Sequence, residues 1–253
     1  LFAEVSINGQ GPFRFLVDTG ATQTIMGEKV AAKLGLKKIA TNVMFGVGGE
    51  GKVDAPMFRA DSLKVGEVTV KNIAMGTMDN PLLDLIMDGV LGPSLLSDFV
   101  VTIDYAKSQI ELSKKAPTTG TAIPVWCFSG LLMVPVDVNG KFKGNFLIDT
   151  GADSTLLAYS MANELGVNKN TPGAVLDLPI GGIGGLDDGV LVVPSVTLKS
   201  PFATKQYDKL MAIDLSGMSG LIQTELSGVI GFDALKDYRV TIDYQKAELR
   251  LTK

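Results

Sequence analysis

The stretch Phe15-Leu16-Val17-Asp18-Thr19-Gly20-Ala21-Thr22 constrains this chain most, because it is written twice. Its second copy is Phe146-Leu147-Ile148-Asp149-Thr150-Gly151-Ala152-Asp153, 131 residues further on. Each copy is a short apolar strand that runs into Asp-Thr-Gly, a turn with an acid at its start. One Asp-Thr-Gly arises easily by chance. Two, with the same apolar approach and the same Ala after the Gly, mark a duplicated unit. A pseudo-twofold axis relating two such turns brings two carboxylates face to face.

The flanking sequence repeats with the acid. Val5-Ser6-Ile7 alternates and turns at Asn8-Gly9, and Val136-Asp137-Val138 does the same at Asn139-Gly140. Asn-Gly between apolar alternation predicts a tight hairpin. After each acid comes a short helical pattern, Glu28 to Leu34 and Tyr159 to Leu165, stopped by Gly35 and Gly166. Both are packing elements. A glycine-rich run follows in each half, Phe45-Gly46-Val47-Gly48-Gly49-Glu50-Gly51 and Ile180-Gly181-Gly182-Ile183-Gly184-Gly185-Leu186. Neither opens a helix, which excludes a phosphate-cradling loop. They are predicted as hairpins, one per half, able to fold over a cleft as mobile covers.

Each half closes alike. Gly89-Val90-Leu91-Gly92 leads to Val101-Thr102-Ile103-Asp104-Tyr105, and Gly228-Val229-Ile230-Gly231 leads to Val240-Thr241-Ile242-Asp243-Tyr244. Asp104 and Asp243 are thus rival paired carboxylates. They read as turn residues, since their strands run on through a turn and no glycine there admits a substrate. The polar run from Ser113 to Ala122 is the natural linker, giving lobes 1–116 and 117–253. Ile123 to Leu131 has no first-half counterpart and the chain starts at Leu1, so residues are expected ahead of Leu1.

Composition narrows the chemistry. With 46% hydrophobic and 20% charged residues, 253 residues can bury a proper core. A net charge of −4 without a basic cluster argues against nucleic acid as a partner. No apolar run has the length of a membrane span, and no signal-peptide pattern opens the sequence. Histidine is absent, which excludes Ser-His-Asp, Cys-His and His-ligated metal chemistry. The single Cys127 excludes an internal disulfide and a thiolate cluster. Set between Trp126 and Phe128, it is expected to be a small buried apolar residue. Catalysis must therefore rest on carboxylates, Lys, Tyr, Ser or Thr. The many short strands predict a mainly β fold in two similar lobes with few short helices.

On the doubled Asp-Thr-Gly, the glycine-rich runs and the apolar-apolar-Gly segments, the chain resembles a retropepsin-like aspartic protease in its single-chain, two-lobed bacterial form. The resemblance covers nearly the whole chain. It implies the acid protease fold, two β-barrel-like lobes about a pseudo-twofold axis. It implies that Asp18 and Asp149 are the catalytic dyad, that Thr19 and Thr150 cross-brace their loops, and that Gly20 and Gly151 let substrate approach. Ala21, Ala152 and Asp153 would contact substrate, with flap residues Val47, Gly48, Gly49, Ile183, Gly184 and Gly185. Neither glycine-rich run carries the Tyr usual in a pepsin flap, which favours the retroviral comparison. Two departures stand out: Thr22 occupies the place equivalent to Asp153, and Pro93 and Phe232 stand where retroviral enzymes often have arginine.

The implied function is endopeptidase action on an extended peptide held between the lobes, through a water activated by carboxylates that share one proton. No metal or cofactor is needed. With both acids in one chain, a monomer is expected. Bacterial relatives are often exported, which leans towards the periplasm. Two alternatives stay open: a peptide-binding protein of the same fold without turnover, and a glycosidase, which also pairs carboxylates. Duplication gives the two acids like surroundings, which disfavours the glycosidase. Ala21 and Ala152 carry no hydroxyl to donate to the acids, so the activity optimum is expected to be mildly acidic and to reach nearer neutrality than a pepsin's.

Overall fold

Both Asn-Gly pairs turn as expected, with Asn8 and Gly9 at φ 51° and 74° and Asn139 and Gly140 at 55° and 65°. These left-handed values are what a tight hairpin requires and what Asn and Gly tolerate. The computed structural model describes residues 1–253 except 46–51, 82, 177–179, 183, 184 and 188.

In the first half the hairpin strands Phe2–Ile7 and Gln10–Val17 open a seven-stranded sheet that continues through Gly89–Leu91, Ile25–Gly27, Val68–Met78, Lys52–Val65 and Lys37–Phe45. Val5 also pairs with Val65, which curls the sheet into a barrel. The second half repeats this with Leu131–Val138, Phe142–Ile148, Gly228–Ile230, Leu156–Ala158, Thr204–Ile213 and Leu191–Lys199, and Val138 pairs with Leu198 to curl it. In each lobe the strand that delivers the acid pairs in parallel with the apolar-apolar-Gly strand, Val17 opposite Leu91 and Ile148 opposite Ile230. A parallel pair must be covered on both faces. This is why these short runs are continuously apolar, with Phe15 and Phe146 fully buried. Burying each ring contributes about 1.5–3 kcal/mol.

A third, five-stranded sheet joins the lobes: Ala122–Pro124, Glu248–Thr252, Arg239–Asp243, Val100–Asp104 and Gln109–Ser113. Its central antiparallel pair sets Thr102 opposite Thr241, and their hydroxyls lie 2.9 Å apart. The pseudo-twofold axis passes here. Thr102 and Thr241 are 139 residues apart, against 131 for the two acid turns. Between those landmarks the second half carries the helix Ser216–Ile222, where the first half has, among the described residues, the single turn Leu83–Leu85. The helices Glu28–Lys33 and Tyr159–Glu164 stop as predicted, with Gly35 and Gly166 at φ 61° and 81°.

One expectation fails. Cys127 is exposed, as are Trp126 and Phe128, at 56% and 47%. Trp126–Phe128 is the end strand of its sheet and pairs only with Leu131–Val138 among the described residues. Three apolar residues in a row read as buried only where a second layer covers them. Asp104 and Asp243 do end strands at turns: each Oδ1 accepts an N–H, from Lys107 at 3.0 Å and Lys246 at 3.1 Å.

Candidate active site

The parallel strand pairs end by handing their last carbonyls to the acids. Leu91 accepts the Asp18 N–H at 3.1 Å and Ile230 accepts the Asp149 N–H at 3.0 Å. This fixes where each chain turns. Thr19 and Thr150 then cross between the lobes. The Thr19 N–H donates to Thr150 Oγ1 at 3.2 Å, and the Thr150 N–H donates to Thr19 Oγ1 at 3.1 Å. Each hydroxyl passes its own proton on, Thr19 to the Ile148 carbonyl at 2.7 Å and Thr150 to the Val17 carbonyl at 2.9 Å. Both threonines are buried, and all four bonds are made where water cannot compete.

The brace sets the carboxyl groups of Asp18 and Asp149 within hydrogen-bonding range of each other. Oδ1 of Asp18 accepts the N–H groups of Gly20 at 2.7 Å and Ala21 at 3.0 Å. Oδ1 of Asp149 accepts those of Gly151 at 2.8 Å and Ala152 at 3.0 Å. Ala21 and Ala152 thus act here through their backbones. Gly20 and Gly151 lie against the opposite acid: a Cβ on Gly151 would stand 2.5 Å from Asp18 Cγ, and one on Gly20 would overlap the Asp149 carboxylate. Burial raises both carboxyls above the ordinary Asp value, and for Asp149 the facing charge of Asp18 adds to it. The backbone donors pull the other way without reversing the shift. Such a pair retains one proton where lone carboxyls would have none.

Thr22 is half-buried and Asp153 exposed. Val47, Gly48, Gly49, Ile183 and Gly184 lie outside the described residues. Gly185 opens the strand Gly185–Asp187 and pairs with Gly182. The first glycine-rich run joins Lys37–Phe45 to Lys52–Val65, with Phe45 opposite Lys52, and Lys37–Phe45 comes against the helix Ser216–Ile222 of the other half.

A second pair of braces was not read from the sequence. In the first lobe the Thr24 N–H donates to Ser94 Oγ at 2.8 Å, and Thr24 Oγ1 accepts the Gly92 N–H at 3.2 Å. In the second lobe the Thr155 N–H donates to Asp233 Oδ1 at 2.6 Å, and Thr155 Oγ1 accepts the Gly231 N–H at 3.3 Å. Lys205 adds a bond to Asp233 Oδ2 at 3.0 Å. The repeat of Thr24 as Thr155 was the available signal, but Ser94 and Asp233 share only the capacity to accept. Burial alone would raise the Asp233 carboxyl, yet the Thr155 bonds and the Lys205 charge hold it below its ordinary value. Its folded pKa lies below its unfolded one, so its stabilisation is present above the ordinary carboxylate value and is lost as pH falls through the folded pKa. Asp233→Asn should therefore destabilise the protein by about 1 kcal/mol at neutral pH, a modest figure because Lys205 is partly in solvent. Urea unfolding should show that gap closing in acid.

The sequence matches the family described as "Aspartyl protease" over residues 3–95 and 134–197, more than half of the chain. No curated protein matches it significantly. Among solved structures, the aspartic proteinase from Irpex lacteus is similar over 100% of this chain and 93% of its own, with a TM-score of 0.57 and 14% identity. At that identity the likeness is one of fold.

Proposed function

Since the chain belongs to the aspartyl protease family, we propose that it is an aspartic endopeptidase with Asp18 and Asp149 as its dyad. One observation carries the reading. Two carboxyls from duplicated loops meet in mutual reach, each with one oxygen tied to two backbone N–H groups, and a buried threonine lattice holds the loops in register.

The ionised member of the pair takes a proton from a water molecule as its oxygen attacks the scissile carbonyl. The protonated member gives its proton to the carbonyl oxygen. Collapse of the tetrahedral intermediate returns that proton to the acid that gave it, while the acid that took the water proton passes it to the leaving nitrogen as the C–N bond breaks, so the pair ends with one proton again. The substrate lies extended between the lobes, and the hairpin of Lys37–Phe45 and Lys52–Val65 is the cover on the first-lobe side, as a retropepsin flap would be. The chain acts as a monomer, with lobes 1–116 and 117–253 each giving one acid.

Incubating the protein with a mixed peptide library from acidic to neutral pH, with and without a statine-type inhibitor, tests the proposal. Cleavage within peptides, suppressed by the inhibitor, is expected. Peptide binding without any cleavage would select the inactive alternative.

A further inference from the structure

The repeated Val-Thr-Ile-Asp-Tyr segments end in Tyr105 and Tyr244. Their strands, Val100–Asp104 and Arg239–Asp243, pair antiparallel at the joint, with Val100 opposite Asp243 and Asp104 opposite Arg239. Antiparallel pairing about a twofold axis carries the end of each strand over to the other lobe. Tyr105, from the first lobe, packs its ring edge-on against Phe232 of the second, with centroids 5.4 Å apart. The Phe232 N–H in turn donates to the Ala152 carbonyl of the second acid loop at 2.8 Å. Tyr244, from the second lobe, shares a hollow with Thr22, Pro93 and Ser94 of the first. Each tyrosine thus stands beside the acid loop of the lobe it does not belong to.

Both hydroxyls are buried, and neither has a hydrogen-bond partner among the described residues. Native proteins leave few such groups, and each calls for a reason. Burial raises both phenols, so they stay protonated through mild acid and neutrality. The Asp149 charge raises Tyr105 further, and those of Cys127 and Asp18 raise Tyr244. Cys127 is itself raised by burial and is neutral in mild acid. The cations nearest in the chain are engaged elsewhere, Arg239 with Glu111 at 3.0 Å, Lys107 with Asp104 at 3.3 Å and Lys246 with Asp243 at 3.5 Å. The Leu1 amino group also acts on Asp18, and it faces Asp153 and Arg14 as well. A phenol whose O–H is bound to nothing is free to turn towards a nearby negative charge.

We propose that Tyr105 and Tyr244 are positioning residues of the dyad, each turning its O–H dipole towards the acid of the opposite lobe, Tyr105 towards Asp149 and Tyr244 towards Asp18, and so supporting the ionised member of the pair. In a dry site such a dipole acts more strongly than it would in water. It opposes burial, which favours the protonated form. The crossing ties this support to the joint between the lobes, since each acid is helped by the lobe that does not carry it. The inference rests on the protease reading only for what the ionised acid then does.

The test is a carbon-13 NMR titration of the Asp18 and Asp149 carboxyls in the substrate-free protein, beside the pH profile of kcat/KM, for the parent, Tyr105→Phe and Tyr244→Phe. Phenylalanine keeps the ring and removes only the unpartnered hydroxyl, and either variant alone suffices if the other fails to fold. Without the dipole the ionised form is less favoured and the shared proton leaves later. The carboxyl titration and the whole bell should each move towards alkali by about 0.4–1 pH unit, the range of one net hydrogen bond. The larger carboxyl change should fall on Asp149 in Tyr105→Phe and on Asp18 in Tyr244→Phe. Mere loosening of the packing would instead let water reach the acids and move both curves towards acid, or lower kcat/KM without moving them. Either of those results, or an unmoved titration, in a folded variant overturns the proposal. The titration needs no turnover, so failure of the protease reading shows differently, as the expected carboxyl shifts with no peptide cut.

Discussion

Asp18→Asn and Asp149→Asn should each lower kcat/KM for peptide cleavage by about a thousandfold or more, since either change removes half of one general acid–base device. Neither should harm the fold. Asn keeps an Oδ1 that can accept the same two backbone N–H groups. The native carboxyls are raised by burial, so above their ordinary pKa they cost stability that Asn does not. Thermal unfolding at neutral pH should find both variants at least as stable as the parent. Near-parental turnover in either variant would show that the reaction does not need two acids.

The second large effect lies one residue on. Thr19→Val preserves the shape of a buried side chain but strips its hydroxyl, leaving the Thr150 N–H and the Ile148 carbonyl without partners. Thr150→Val does the same to the Thr19 N–H and the Val17 carbonyl. With about 1–3 kcal/mol for each buried group left unpaired, either variant should lose about 2–5 kcal/mol by chemical unfolding. The losses should not add in the double variant, because the two hydroxyls serve one connected lattice. A loss below about 1 kcal/mol in both single variants would mean that the brace is not what holds the loops together.

What could be read ahead of the structure followed from how local each signal was. The hairpins rest on Asn8-Gly9 and Asn139-Gly140, whose backbone preference needs no partner. The helix stops at Gly35 and Gly166 are of the same kind. The acid turns were legible because duplication doubled a weak signal. The role of Thr19 and Thr150 came only through resemblance, since their partners lie 131 residues away. Long-range acceptors were illegible: nothing in Ser94 or Asp233 announces that it receives the N–H of Thr24 or Thr155. The repeated Val-Thr-Ile-Asp-Tyr gave strands, but not that Thr102 and Thr241 would meet across the joint between lobes. Cys127 was misjudged because hydrophobic neighbours mark a strand without saying whether it lies at the edge of its sheet.

The pH dependence of kcat/KM on a single well-cleaved peptide tests the central claim, one proton shared by Asp18 and Asp149, most directly. Both carboxyls are raised by burial, and only the singly protonated pair is competent. The account predicts a bell with its optimum in mild acid, whose alkaline limb lies above the ordinary Asp value of 3.8 because the retained proton leaves late. A profile that keeps rising into alkaline solution, or one whose activity is already lost at ordinary carboxylate pH, would contradict it.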